Sequence, residues 1–164
     1  MKEQKNIQIN FWETDSWDAL AEQDVSLLKH AVFASKGAYA PYSNFKVGAS
    51  VLLEDNEIVV GSNQENIAYP SGLCAERVTL FSASANYPNV KIKTLAIYAE
   101  SATNEDGQLS PCGSCRQVMQ EYEAKQEDQI RVLLMNSDFK VWEFKSCADL
   151  LPLAFKFNPL KKLK

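Results

Sequence analysis

The sequence contains a single histidine, His30, among its 164 residues. Catalytic sets of the serine–histidine–aspartate or cysteine–histidine kind need a histidine beside the nucleophile. His30 lies near Leu27 and Lys29 in a run with helical spacing of apolar residues, so we interpret it as a packing or surface residue. Hydrolases that depend on such histidine sets are therefore not favoured.

An excess of basic charge and long apolar runs are also lacking. The formal net charge is −4, whereas surfaces that hold phosphate backbones are basic. No apolar run reaches the roughly 18 residues typical of a membrane span, and residues 1–10 lack an apolar signal core. We therefore expect a cytoplasmic protein that acts on a small, roughly neutral molecule, with neither nucleic acid nor membrane as a partner.

The composition is typical of one domain that buries a full core. Apolar residues make up 46% and charged residues 23% of the chain. Residues 1–23 are polar apart from three aromatic anchors, Phe11, Trp12 and Trp17, and we interpret them as an N-terminal extension that packs on a domain at 24–160. Four cysteines in a chain expected to be cytoplasmic favour metal binding over disulfides.

Helical and strand patterns alternate along the domain. A helix is predicted from Asp24, placed as its N-cap, to Tyr39, and two more follow the cysteine motifs described below. Apolar β-rich runs predict strands at 47–53, 58–60, 92–99, 131–135 and 139–144. The fold class is therefore predicted to be α/β, with three α/β/α layers around a central mixed sheet of about five strands.

Two cysteine motifs carry the chemistry, Cys74-Ala75-Glu76 and Pro111-Cys112-Gly113-Ser114-Cys115. Three thiolates leave tetrahedral zinc one open position, which is where a catalytic site holds water. A glutamate two residues from a ligand can take and return a proton of that water. The pairing of these motifs is typical of zinc deaminases, which combine a ligand-x-Glu motif with Pro-Cys-x-x-Cys.

The motifs are also placed where helices start. Unpaired backbone N–H groups and the helix dipole stabilise thiolates there. Three thiolates on a divalent zinc leave a net charge of about −1, and Arg77 is positioned to offset it. Cys147 is interpreted as a small buried residue, although as a fourth ligand it would close the site and make it structural.

Several further stretches match one known family. They are 39–49 (YAPYSNFKVGA), 63–69 (NQENIAY) and 150–152 (LLP), in the correct order around the two cysteine motifs. From about Tyr39 to Phe155 the chain resembles the small cytidine deaminases of nucleoside salvage. The resemblance implies zinc-dependent hydrolytic deamination of cytidine and 2′-deoxycytidine, and the all-cysteine branch of the family is typically a homotetramer.

The resemblance also implies roles for individual residues. Cys74, Cys112 and Cys115 would bind zinc, and Glu76 would be the catalytic proton shuttle. The implied substrate contacts are Phe45 against the base, Asn63 and Glu65 at the ribose, Ala75 and Tyr69 at the pocket, and Phe155 from a neighbouring subunit. Without the resemblance, Asn63 and Glu65 would be ordinary loop residues and Phe45 a core residue.

Three alternatives stay open at this point. Blasticidin S deaminase has the same metal motif and acts on a cytosine carried by a different sugar-like group. A zinc-stapled structural or interaction domain would use Cys147 to complete a closed site. An editing deaminase would need a basic, aromatic surface for nucleic acid, which the acidic balance of the chain does not favour.

Overall fold

Three α-helices flank a mixed β-sheet in the computed structural model, which describes residues 2–100 and 110–156. The helices are α1 Glu22–Ser35, α2 Ala75–Asn86 and α3 Gly113–Gln126. The strands are β1 Trp12–Thr14, β2 Lys46–Leu53, β3 Ile58–Ser62, β4 Ile92–Glu100, β5 Arg131–Asn136 and β6 Val141–Phe144. None of the helices in these two ranges is long and apolar enough to cross a membrane.

The sheet runs in the order β1-β6-β5-β4-β2-β3. Strands β4 and β5 pair in parallel, and the pairs β1–β6, β5–β6, β2–β4 and β2–β3 are antiparallel. The predicted mixed sheet is therefore confirmed, but it has six strands in the described ranges rather than about five. The predicted loop at 101–110 lies mostly outside the described residues, as do the ends of the predicted domain beyond 156.

Helices cover both faces of the sheet, which confirms the three-layer prediction. Side chains alternate between the two faces of each strand, so successive buried residues enter different cores. One core joins β2, β4 and β5 to α2 and α3 through Val51, Ile97, Leu134, Leu80 and Met119. The other core joins the opposite face to α1 through Leu27, Leu28, Leu52, Tyr98 and Met135.

The sixth strand comes from the N-terminal extension. Trp12–Thr14 pairs antiparallel with β6, and the ring of Phe11 lies 4.7 Å from that of Trp142 and 5.3 Å from that of Phe144. A strand of three residues is too short to show an alternating pattern, so its sequence gave no strand signal. The extension therefore packs on the domain through its aromatic residues and also lengthens the sheet.

The start of α1 differs from the prediction. Asp24 is not the N-cap, because the helix begins at Glu22 with Ala21 at the cap. The Asp24 carboxylate lies in the first turn, only 8% exposed, and accepts a hydrogen bond from Arg131 of β5. A carboxylate in the first turn also interacts favourably with the helix dipole. The helix ends at Ser35 rather than at Tyr39.

Helix α1 and strand β2 approach each other closely at Gly48. A Cβ atom there would lie 2.0 Å from the carbonyl oxygen of Ala31 and 2.4 Å from the amide nitrogen of Ser35. Beside this contact, the Ser50 hydroxyl donates a 2.7 Å hydrogen bond to the Leu27 carbonyl. Glycine is therefore required for the backbones to meet, and this contact fixes the second layer on the strand that contributes Val47 to the site.

Candidate metal centre

Both cysteine motifs begin helices, as the sequence predicted. Cys74 is the N-cap of α2 and Cys112 is the N-cap of α3, each with extended backbone, while Cys115 lies in the first turn of α3. The two helices pack side by side on one face of the sheet. Their first turns therefore bring the three cysteines together, although Cys74 and Cys112 are 38 residues apart.

The three thiols fit a zinc ion. The Sγ atoms of Cys74 and Cys112 are 4.0 Å apart, those of Cys112 and Cys115 are 3.5 Å apart, and all three lie within 4.8 Å of one another. A zinc–sulfur bond of about 2.3 Å with tetrahedral angles spaces thiolates about 3.8 Å apart. The geometry of these thiols therefore agrees with shared zinc ligation.

Cys147 does not belong to this cluster. It is fully buried in the core, and its thiol lies 3.7 Å from the carbonyl oxygen of Ile130, to which it donates. Burial raises the pKa of this thiol. The interpretation as a small buried residue is confirmed, and a site closed by Cys147 finds no support.

His30 is exposed, and its Nδ1 lies 2.8 Å from the Ser26 carbonyl oxygen, which agrees with a surface role.

The surroundings of Cys74 favour its thiolate. The Arg77 guanidinium reaches back one turn, with Nη2 4.0 Å from the Cys74 Sγ and 3.4 Å from the Gly72 carbonyl oxygen. The neighbouring Cys115 thiol, together with Arg77, lowers the pKa of Cys74. The neighbouring Cys74 sulfur and burial raise the pKa of Cys115. Thiolate is the form that binds metal, so the lowered pKa of Cys74 favours binding of a cation by this cluster.

Glu76 is the buried carboxyl group of the site. Its residue is 4% exposed in the first turn of α2, and its Oε2 has no hydrogen-bond partner among residues 2–100 and 110–156. Burial, with a smaller contribution from the negative charge of Cys74, raises the pKa of Glu76 to about 7. A carboxyl group with a pKa near neutrality can both accept and donate a proton at physiological pH.

A cavity of about 700 Å³ opens in front of the thiols. Eight of the predicted site residues line it, namely Phe45, Asn63, Glu65, Tyr69, Cys74, Glu76, Arg77 and Cys112. Ala75 and Cys115 are fully buried behind the wall. Phe155 is 72% exposed and is not among the lining residues; its carbonyl oxygen accepts a 3.2 Å hydrogen bond from Gln117.

A short extended segment, residues 63–65, carries two of the predicted site residues, Asn63 and Glu65. Its backbone is held on one side by Tyr39, with hydrogen bonds of 3.0 and 2.8 Å, and on the other by Leu73, with bonds of 2.8 and 2.9 Å. Side chains two residues apart in extended backbone share a face. Asn63 and Glu65 therefore both point towards the loop that precedes β2.

Both side chains already bind that loop, and Asn63 also binds the start of β2. The Asn63 amide accepts from the Val47 N–H at 2.8 Å and donates to the Phe45 carbonyl at 2.9 Å. Glu65 accepts from the Tyr42 N–H at 2.9 Å, from the Ser43 N–H at 3.3 Å and from the Ser43 hydroxyl. The Ser43 hydroxyl and the Tyr42 backbone lower the pKa of Glu65, which keeps it ionised.

These contacts place Phe45 at the cavity wall. Asn44, just before it, has a left-handed backbone with φ of 54°, and the Phe45 N–H donates to the Ser43 hydroxyl at 3.0 Å. Sequence reasoning gave Ser43 no role. The residue was visible only as part of a turn, because its partner Glu65 lies 22 residues further along the chain.

The fold and the site together define an α/β protein with a three-thiol metal centre at the wall of a cavity. A family model described as the cytidine and deoxycytidylate deaminase zinc-binding region matches residues 21–127. The chain belongs to this family. The match includes both cysteine motifs and the lining residues Phe45, Asn63, Glu65 and Tyr69.

Individual relatives agree with the family match. The chain is 39% identical to a cytidine deaminase of Halalkalibacterium halodurans over 79% of its length and 91% of the relative, and 40% identical to one of Sporosarcina psychrophila over 82% and 92%. The crystal structure of cytidine deaminase from Burkholderia pseudomallei superposes with a TM-score of 0.69 at 40% identity, covering 79% of this chain and 97% of that one. A cytidine deaminase structure from Mycobacterium tuberculosis gives a TM-score of 0.61 at 32% identity, covering 80% and 96%.

Proposed function

We propose that this chain is a zinc-dependent enzyme that hydrolyses cytidine and 2′-deoxycytidine to uridine and 2′-deoxyuridine, releasing ammonia, in pyrimidine salvage. The observation that carries the proposal is the placement of the buried Glu76 carboxyl group, whose Oε2 has no hydrogen-bond partner among the described residues, in the same cavity as two of the three clustered thiols. Membership of the deaminase family and the relatives named cytidine deaminase support it.

Cys74, Cys112 and Cys115 would hold the zinc ion, and Arg77 would offset the negative charge of the three thiolates. Zinc bound there supplies a Lewis acid that makes water acidic enough to lose a proton near neutral pH. The wall of the cavity is formed in part by Ile97 and Ala99 of β4, which gives a flat base an apolar surface.

Glu76 would move the protons. Its carboxylate takes a proton from the attacking water, whose oxygen forms a bond to C4 of the cytosine ring. The carboxylic acid then donates that proton to N3. The proton of the new C4 hydroxyl group next passes to N4, so the C4–N4 bond breaks, ammonia leaves and a carbonyl group remains at C4. In the metal-free chain burial raises the pKa of Glu76 to about 7, and the positive charge of a bound zinc ion would act in the opposite direction.

The remaining lining residues would bind the nucleoside. Phe45 would pack against the base, and Asn63 and Glu65 would meet the sugar hydroxyl groups with the hydrogen-bonding capacity that the loop leaves free. An amide can form four hydrogen bonds and a carboxylate accepts about four, whereas Asn63 uses two and Glu65 three within the described residues. Ala75 would contribute from the start of α2.

We further propose a homotetramer whose cavities are completed across subunits. Tyr69 at the cavity is 77% exposed, and Phe155 is 72% exposed and does not reach the cavity of its own chain. Two large apolar side chains left in solvent support a second subunit as their cover. Closed symmetry with paired identical contacts would accommodate four copies.

The test is an activity assay with matched variants. Zinc-loaded protein is incubated with cytidine, 2′-deoxycytidine and blasticidin S, and ammonia release is followed. Glu76→Gln has a similar volume and should keep its zinc while losing activity by roughly 10²- to 10⁴-fold. An active Glu76→Gln variant would contradict the proton-shuttle role, and activity confined to blasticidin S would reassign the substrate.

The metal is tested separately by elemental analysis. Cys112→Ala should lose zinc, whereas Cys147→Ala should keep both zinc and activity, because its thiol lies outside the cluster. Protein purified without chelator that contains no zinc would end the proposal.

A further inference from the structure

Arg116, the residue after Cys115, makes three directed hydrogen bonds. Its Nε donates to the Pro111 carbonyl at 2.7 Å, its Nη2 to the Ser110 hydroxyl at 2.6 Å and its Nη1 to the Leu150 carbonyl at 3.0 Å. One half-buried side chain in the first turns of α3 therefore joins the segment just ahead of Cys112 to the end of the 3₁₀ helix Cys147–Leu150.

These bonds hold the chain next to Cys112, whose residue is the most exposed of the three cysteines. Cys112 is exposed, whereas Cys115 is buried and Cys74 is partly buried. As the N-cap of α3, Cys112 has no intrahelical hydrogen bond on its own N–H, so the helix alone does not fix the chain that leads into it. The buried Pro111 and its carbonyl, held by Arg116, supply that constraint.

A guanidinium suits this task better than other side chains. Its donors are fixed in one plane. An arginine side chain therefore loses less conformational freedom when it binds three acceptors in set directions than a lysine side chain with its flexible ammonium group would. Hydrogen bonds from a charged donor are also stronger than neutral ones. The deamination mechanism makes no use of Arg116, which leaves its three bonds without a role in the chemistry.

Glu123 provides an internal comparison two turns further along α3. Its carboxylate accepts from the Ser146 hydroxyl at 2.7 Å and from the N–H groups of Cys147, Ala148 and Ile130 at 2.8, 3.2 and 2.9 Å. Glu123 thus holds the beginning of the same 3₁₀ helix whose end Arg116 holds. None of its hydrogen bonds within residues 2–100 and 110–156 reaches Ser110 or Pro111, ahead of Cys112.

We propose that Arg116 is a positioning residue for the metal centre. It fixes the Pro111 carbonyl so that the Cys112 thiol stays within bonding range of the zinc held by Cys74 and Cys115. Contacts of this kind, one step removed from the ligands, typically change metal affinity by about 10- to 100-fold. The inference rests on the proposed function only for the identity of the ion.

The experiment compares zinc retention in the full chain for Arg116→Gln, Arg116→Lys and Glu123→Gln. Zinc transfer from the loaded protein to a chromogenic chelator gives the release rate, and melting with and without zinc gives the stabilisation due to the metal. Arg116→Gln should release zinc about 10-fold faster or more and show a smaller zinc-dependent rise in Tm. Glu123→Gln should lower the Tm of both forms equally and release zinc at the wild-type rate.

Equal release rates for Arg116→Gln, Glu123→Gln and the wild type would overturn the proposal and leave Arg116 with a role in folding alone. If Arg116→Gln does not fold, Arg116→Lys keeps the charge without the planar donors and should still release zinc faster than the wild type; a wild-type rate would overturn the proposal. Because no substrate is used, a zinc-loaded chain without deaminase activity would refute the proposed function and leave this comparison intact.

Discussion

The buried carboxyl group of Glu76 makes the stability of the metal-free protein depend on pH. Its pKa is about 7 in the folded chain against 4.5 for an ordinary glutamate. Below pH 4.5 the group is neutral in both the folded and the unfolded state. Between pH 4.5 and 7 the unfolded chain has lost the proton while the folded chain keeps it, so the free energy of unfolding falls as the pH rises.

The size of this effect follows from the two pKa values. One pKa unit corresponds to about 1.4 kcal/mol. The raised pKa of Glu76 therefore lowers the free energy of unfolding by about 3 kcal/mol, and the full loss is reached above pH 7. The group is 4% exposed, which leaves little screening by solvent to reduce it. Glu76→Gln is neutral at every pH and should be free of this penalty.

The assay is urea unfolding of the parent and Glu76→Gln, both kept free of metal with chelator, between pH 4 and pH 8. We expect the variant to be more stable than the parent by about 3 kcal/mol at pH 8, with the difference vanishing near pH 4. Subtracting the two proteins removes the contributions of the titrating groups that do not interact with Glu76. A difference that does not change with pH, or a variant that is less stable at pH 8, would refute the reasoning.

Two further predictions concern assembly and packing. Light scattering should give a mass about four times the 18.4 kDa of the chain, and Phe155→Ala should raise KM without loss of zinc; a fully active monomer would contradict the shared cavity. Gly48→Ala should lower the free energy of unfolding by about 3 kcal/mol, since its Cβ would meet the α1 backbone. Gly37→Ala is the control: its Cβ would lie 3.5 Å from the nearest atom, so the free energy of unfolding should change by less than about 1 kcal/mol. Unchanged stability of Gly48→Ala in chemical denaturation would show that α1 does not rest on β2 as described.

Much of the fold was predictable because its strands are long and apolar. The run 92–99 coincides with β4 except for its last residue, and the hairpin of β2 and β3 was visible from the polar turn between them. The N-cap assignment of Asp24 failed because its partner Arg131 is 107 residues away. Local sequence patterns carry no information on such a pairing.

The metal site was predictable to a similar extent. Ligand spacing and helix starts indicated which three thiols meet, and the structure brings those three together. The contacts that hold the cavity in shape were not visible. Glu65 with Ser43, and Arg116 with Leu150, join residues that are far apart in the chain and ordinary in type. The nucleoside contacts assigned to Asn63 and Glu65 from the resemblance stay predictions.

The short strand β1 has a consequence for the chain outside the cavity. The edge of β6 that it covers would otherwise present unpaired N–H and C=O groups beside the apolar rings of Trp142 and Phe144. Such an edge is a template for strand addition by another chain, and a very short terminal strand is one way in which proteins block it. Three strands separate β1 from β2, the strand that contributes Val47 to the cavity. Residues 11–14 therefore cover the edge of β6 against strand addition, at a position remote from the cavity.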